Sequence, residues 1–233
     1  MNKEKLKIGL ITYRGNPSSG GQGIYINYLS RALSDLGHEV TVISGPPYPE
    51  IREDIKLVKI PSLDLFSKKN KLLDVNFSNL LSLNNLKEWI SANTGGFPEP
   101  HTFGPRLKKF IDENADQFDV VHDNQTLCKE LISLQKKLPL VTTIHHPITK
   151  DLEFQLKSTD DFFLKLLIKR WHSFLPAQIK VSKKLKKVIV PSESSKKDVV
   201  KDFSLKEESI EVVHNGIDLN VFYPSEKPFE DYK

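Results

Sequence analysis

One cysteine, Cys128, in 233 residues leaves no partner for an internal disulfide. That scarcity fits a reducing compartment. Long apolar runs are missing as well. After the lysines of MNKEKLKIGLIT the apolar run is about six residues, short of the roughly 7–15 of a signal-peptide core and far below the ~20 of a membrane span. A cytoplasmic protein is expected. Neither GxxxxGK[ST] nor GxSxG occurs, which removes the simplest nucleotide-hydrolase and serine-hydrolase readings. Internal repeats and low-complexity tracts are also absent.

What is present suffices for a full core. Hydrophobic residues make up 38% of the chain, and that length suits one large domain. The net charge of +4 hides an uneven spread: Lys165, Lys169, Arg170, Lys180, Lys183, Lys184, Lys186 and Lys187 crowd into one stretch. Such a stretch is either a solvated helix face or a surface for phosphates or an anionic membrane. Its aromatics sit among leucines, as core anchors do, rather than alternating with the charges as base-stacking platforms would. Nucleic acid is not an expected partner.

Short β-branched runs alternate with longer amphipathic stretches, the pattern of a parallel sheet with crossover helices. The predicted strands are Leu6 to Thr12, His38 to Ser44, Ile55 to Pro61, Asp119 to Asp123, Leu140 to His145, Lys187 to Ser192 and Ile210 to Asn215. A helix is predicted from about Ile24 to Leu36, ended by Gly37. The PPYP segment after the second strand excludes both helix and central strand. Together these predict an α/β, Rossmann-like, doubly wound and mostly parallel sheet of about seven strands. Its ligands should bind beyond the C-terminal strand ends. The stretch Ser62 to Pro105 departs from the pattern. Leucines at helical spacing predict a helix over Phe77 to Ile90, and the Gly- and Pro-punctuated remainder reads as a mobile binding loop.

The strand ends carry the candidate site residues. After the first strand, RGNPSSGGQGIYINYLSRAL supplies Arg14 and a glycine turn opening into a helix. Gly20, Gly21 and Gly23 permit a tight turn and close ligand approach, and the helix start attracts a phosphate or carboxylate. A nicotinamide or flavin site would want an acidic residue at the end of the second strand. Here that strand ends Ser44-Gly45-Pro46, against a dinucleotide. LVTTIHHP places His145 and His146 at a strand end, where imidazole can bond sugar hydroxyls or phosphate. Metal binding is not expected, because adjacent histidines diverge and the others show no ligand spacing. VHDNQTL adds Asp123 and Asn124. Ser192 and Glu193 follow the sixth strand, where Ser192 is either a site residue or the N-cap of the next helix.

The GGQGIYINYLSRALSDLGHEVTVIS opening, the TIHHP strand end, PSESSKKDVVKDF and IEVVHNGIDLNVFYP together resemble the N-terminal, acceptor-side domain of GT-B glycosyltransferases of family 4. The resemblance spans nearly the whole chain. It implies a retaining, metal-independent transferase with no cofactor, moving a sugar from a nucleotide-diphosphate donor to a glycan, lipid or small-molecule acceptor. By position, Gly20 and Gly21 match the loop lying against the donor diphosphate and sugar. His145 matches the histidine at the reaction centre, and Asn215 and Gly216 match the motif near the interdomain cleft. Arg14, Asp123, Asn124, His146, Ser192 and Glu193 are acceptor or cleft candidates. The family's pair of donor-site glutamates eight positions apart has no counterpart here. Residues 1–223 are therefore expected to form the acceptor-side domain and 224–233 to begin a linker, with the donor-binding domain absent and the chain alone incompetent. That domain, in cis or trans, is an expected partner, and peripheral contact with the inner membrane face is a further one. Competing readings are a non-catalytic glycan or lipid-headgroup binding module and a dehydrogenase.

Overall fold

The computed structural model describes residues 4–17, 21–219 and 221–224. The chain runs from β1 (Lys7–Thr12) through α1 (Gly21–Asp35) to β2 (Glu39–Ser44) and β3 (Lys56–Lys59), and α2 (Leu83–Asn93) and α3 (Glu99–Asn114) return it to β4 (Val120–Asn124). A short α4 (Leu131–Leu134) leads to β5 (Leu140–Thr143). Then α5 (Thr149–Lys157), α6 (Phe162–Trp171) and α7 (Leu175–Ser182) precede β6 (Val188–Val190), α8 (Glu193–Phe203) and β7 (Ile210–Val212). All seven strands pair in parallel in the order β3-β2-β1-β4-β5-β6-β7.

Alternation along the strands divides two cores. Ile8, Leu10, Val40 and Val42 face α1 through Ile26, while Ile11, Ile43 and Val121 face Phe103, Leu107 and Ile111 of α3 together with α4, α7 and α8. Each such side chain, removed from water, contributes about 1.5–3 kcal/mol. Because the winding reverses between β1 and β4, the loops leaving those strands part and open a crevice, where sheets of this class bind ligands. The prolines after β2 lie outside helix and strand, as expected, and Pro47 O accepts the Gly15 N–H at 2.8 Å.

Two expectations need correcting. The Pro-rich end of the Ser62 to Pro105 stretch is not a loop but the start of α3. Pro98 and Pro100 stand at the cap and first turn, where no intrahelical N–H is needed. Pro105 forfeits one bond inside the helix, which burial of Phe103, Leu107 and Ile111 along one face outweighs. The aromatics of the basic stretch are also not uniformly core anchors. Phe174 is buried, but Phe162 and Phe163 are 68% and 75% exposed on α6, a helix with no buried residue. Of the lysines, Lys180 to Lys187 cluster at the end of α7 and the turn into β6, on the sheet's N-terminal edge and away from the strand ends. Among the described residues no helix is long and apolar enough to cross a membrane.

Candidate functional site

Three elements converge beyond β4 and β5: the first turn of α1, the Asn124-Gln125 strand end and the His145-His146 strand end. Asn124 joins all three. Its Nδ2 donates to Gln22 O at 3.3 Å, while its Oδ1 lies 2.7 Å from His145 Nε2. A carbonyl acceptor fixes the amide orientation, so Oδ1 must accept, and His145 Nε2 must carry the proton. His145 Nδ1 is then the acceptor of the ring. Burial, followed by the charge of His146, pushes the His145 imidazole down to about 4, so it is neutral at pH 7.

Gln125 holds the backbone of the two histidines from both sides. Its Oε1 accepts the His145 N–H at 2.7 Å and its Nε2 donates to His146 O at 2.9 Å. His145 O in turn accepts from Ser195 Oγ at 3.0 Å. Tyr25, one turn into α1, packs edge-on to the His145 ring with centroids 4.6 Å apart, and its hydroxyl lies 3.3 Å from Thr143 Oγ1. His122 Nε2 meets the same Thr143 oxygen at 2.6 Å. With its backbone and one ring nitrogen engaged, His145 is preorganised.

The glycine turn is shaped for close approach. A Cβ on Gly23 would stand 2.3 Å from Asn16 O and 2.6 Å from Gly15 O, so only glycine lets α1 begin against the preceding loop. A Cβ on Gly21 would meet nothing within 4 Å among the described residues. Gly20 lies outside the described residues.

The remaining candidates scatter. Asp123 is fully buried and turned into the protein, accepting from Thr126 Oγ1 at 2.5 Å; burial pushes its carboxyl up to about 7. Arg14 lies 3.5 Å from Glu99 Oε2 and over the Phe97 ring, so it lines the end of β1 rather than the His145 cluster. Burial, opposed by Arg14, raises Glu99 to about 8. His146 turns outward to Asp151 at 3.0 Å. Ser192 caps α8, accepting the Ser195 N–H at 3.1 Å, and reaches the site only through Ser195. Glu193 is exposed, and Asn215 and Gly216 are exposed beyond the edge strand β7. Tyr25, Gln125, Thr143 and Ser195 were not singled out from sequence, although Gln125 directly follows Asn124 and Tyr25 stands in the first turn after the glycines.

A seven-stranded parallel sheet with a glycine-bearing helix start and a strand-end histidine at its switch point defines a Rossmann-like domain. The sequence profile of Glycosyltransferase Family 4 matches residues 19–221, and the chain belongs to that family. It is 38% identical over 223 residues to the MMP alpha-(1->4)-mannosyltransferase of Mycolicibacterium hassiacum, covering 95% of this chain and 54% of that protein. Among solved structures, the catalytic domain of starch synthase IV from Arabidopsis thaliana, bound to ADP and acarbose, superposes with a TM-score of 0.54 at 14% identity, over 97% of this chain and 55% of its own. Anabaena Alr3699/HepE in complex with UDP gives a TM-score of 0.53 at 14% identity, over 93% and 46%. At such identities these two show the fold alone. The chain spans about half the length of the relatives it matches.

Proposed function

We propose that this chain is the acceptor-side lobe of a retaining glycosyltransferase, and that the sugar moved from the nucleotide-diphosphate donor is mannose. The observation that carries the reading is the joining of the α1 N-terminus to His145 through Asn124. The helix start offers N–H groups to the diphosphate, and the neutral imidazole offers an acceptor to a sugar hydroxyl. The choice of mannose rests on the Mycolicibacterium hassiacum relative alone. Positive electrostatics at the developing diphosphate act best in a closed, water-free site. One wall of such a site is present here, and relatives of about twice the length support a second lobe bearing the nucleotide, in cis or trans.

Complementation tests this. The chain mixed with a separately produced donor lobe should associate with it and turn over a nucleotide-diphosphate mannose. A folded pair that neither associates nor turns over donor contradicts the reading. Saccharide binding of equal strength with or without the second lobe would favour a non-catalytic binding module.

Peripheral membrane contact, in this reading, runs through α6 rather than Lys180 to Lys187. Exposed Phe162, Phe163, Leu166 and Leu167 share that helix with Lys165, Lys169 and Arg170, and no carboxylate lies within it. Asp160, 3.7 Å from Lys165, and the N-cap Asp161 stand at its start, and the cations border the rest of an apolar surface that complements anionic lipid. Sedimentation with phosphatidylglycerol vesicles should exceed that with phosphatidylcholine and fall in a Phe162→Asp/Phe163→Asp variant. Equal sedimentation of parent and variant contradicts the contact.

A further inference from the structure

A cavity of about 340 Å³ lies on the α3 side of the sheet, between α2, the first turns of α3, the segment after β4 and α7. None of its walls belongs to the His145 cluster. Its lining includes Asn84, Lys87, His101, Cys128, Lys129 and Gln178, and no carboxylate. The volume falls near the lower end of small-molecule sites, roughly 300–1,000 Å³, and suits a monosaccharide-sized ligand.

Two observations mark it as built for a ligand. Gln178 is 2% exposed; its Nε2 donates to Thr126 O at 3.1 Å, while its Oε1 has no partner. A buried acceptor left empty costs about 1–3 kcal/mol, so the position is expensive unless a donor arrives. Asn84, half-buried on the same wall, spends its Nδ2 on Thr102 O at 2.8 Å.

The second observation is charge. Lys87 has no carboxylate at ion-pair distance among the described residues, and Lys129 has only Glu130 Oε1, outside the lining, at 3.8 Å. The imidazole of His101 is pushed down by burial first and then by the charges of Lys129 and Arg170, so cations crowd this mouth. The start of α3 adds little of its own. Pro98 and Pro100 have no N–H, and the N–H groups of His101 and Thr102 already bond Pro98 O.

We propose that this cavity is a second binding site, for a small polyhydroxylated anion of the sugar-acid or sugar-phosphate class. The acid group sits between Lys87 and Lys129, and a hydroxyl donates to Gln178 Oε1. The site stands independently of the transfer reading. It also touches the functional end of β4, because Gln178 holds Thr126, and Thr126 Oγ1 donates to Asp123, the neighbour of Asn124.

The test is calorimetric titration of the chain with D-gluconate, glucose 6-phosphate, inorganic phosphate and glucose. Saturable binding of gluconate or glucose 6-phosphate is expected, with inorganic phosphate and neutral glucose each weaker by roughly tenfold or more, equivalent to 1.4 kcal/mol. Which of the two sugar anions binds more tightly distinguishes a carboxylate from a phosphate ligand. A Lys87→Ala/Lys129→Ala variant changes exposed side chains, so it should keep the parent's thermal midpoint and lose at least that tenfold in affinity. Absence of saturable binding by both sugar anions overturns the proposal. So does binding of inorganic phosphate or glucose as tight as that of the sugar anions, or affinity unchanged in the folded double variant.

Discussion

The Nε2–H of His145 donates to Asn124 Oδ1 at 2.7 Å, and this contact ties the end of β5 to the end of β4. It fixes the tautomer, and with it which ring nitrogen is left to meet a substrate. Replacing the amide by a carboxylate keeps the acceptor and adds a charge. In Asn124→Asp the His145 imidazole should titrate higher than its present value of about 4, by roughly 1–3 pH units, because an adjacent anion favours the charged ring. Imidazole resonances followed by NMR through an acid titration measure this. An unmoved midpoint contradicts the contact.

Gln125 serves as a clamp. Its buried side chain supplies one bond on each side of the His145-His146 peptide. Gln125→Ala should therefore cost about 1–3 kcal/mol, two bonds at 0.5–1.5 kcal/mol each. Urea unfolding reads the loss directly. A midpoint equal to the parent's would mean that the clamp stabilises nothing.

The two glycines at the start of α1 should respond in opposite ways. Gly21→Ala adds a methyl group that meets no described residue within 4 Å and should leave stability unchanged or raise it by a few tenths of a kcal/mol, up to about 1, through helix propensity. Gly23→Ala drives a methyl group into two backbone carbonyls and should destabilise by more than about 1 kcal/mol. Thermal midpoints of the pair decide it. Equal midpoints contradict the close approach.

Stability should depend on pH through groups of opposite sign. Burial pushes the His122 and His145 imidazoles down to about 4. Their contribution is present above the unfolded value of about 6.5 and is lost as the pH falls through 4. Glu99 is raised from 4.5 to about 8, so its contribution is present below 4.5 and is lost as the pH rises through 8. Glu99→Gln removes only the second effect. Measured by urea unfolding, the variant should gain on the parent steadily between pH 4.5 and 8, with a constant difference outside that window. Parallel curves across the window contradict the raised value.

Much of the fold was legible because parallel strands buried on both faces leave continuous apolar runs. LKIGLIT, HEVTVIS and LVTTIH each became strands within two residues of the expected bounds. The start of α3 was hidden because Pro98, Pro100 and Pro105 read locally as breakers, and the helix exists through tertiary burial of Phe103, Leu107 and Ile111. The exposure of Phe162 and Phe163 was hidden for the converse reason: apolar composition carries no statement of what covers it. At the site, His145, Asn124 and Gly21 were visible as strand-end and turn residues. Their mutual geometry was not, since the bonds from Asn124 to His145 and Gln22 span 21 and 102 positions in the chain. Tyr25 and Gln125 are ordinary residues locally and acquire a role only when the strand ends meet.

The role assigned to His145 is tested most directly in a fusion of this chain to the remaining portion of the Mycolicibacterium hassiacum mannosyltransferase, assayed for mannosyl transfer from a nucleotide-diphosphate mannose. His145→Ala should lower turnover by about 100-fold or more, in line with losing a preorganised group at the reacting sugar, while the unfolding midpoint at pH 7 stays near that of the parent fusion. Undiminished turnover in the variant, or no turnover by a parent fusion whose lobes fold and dock, would contradict the assignment.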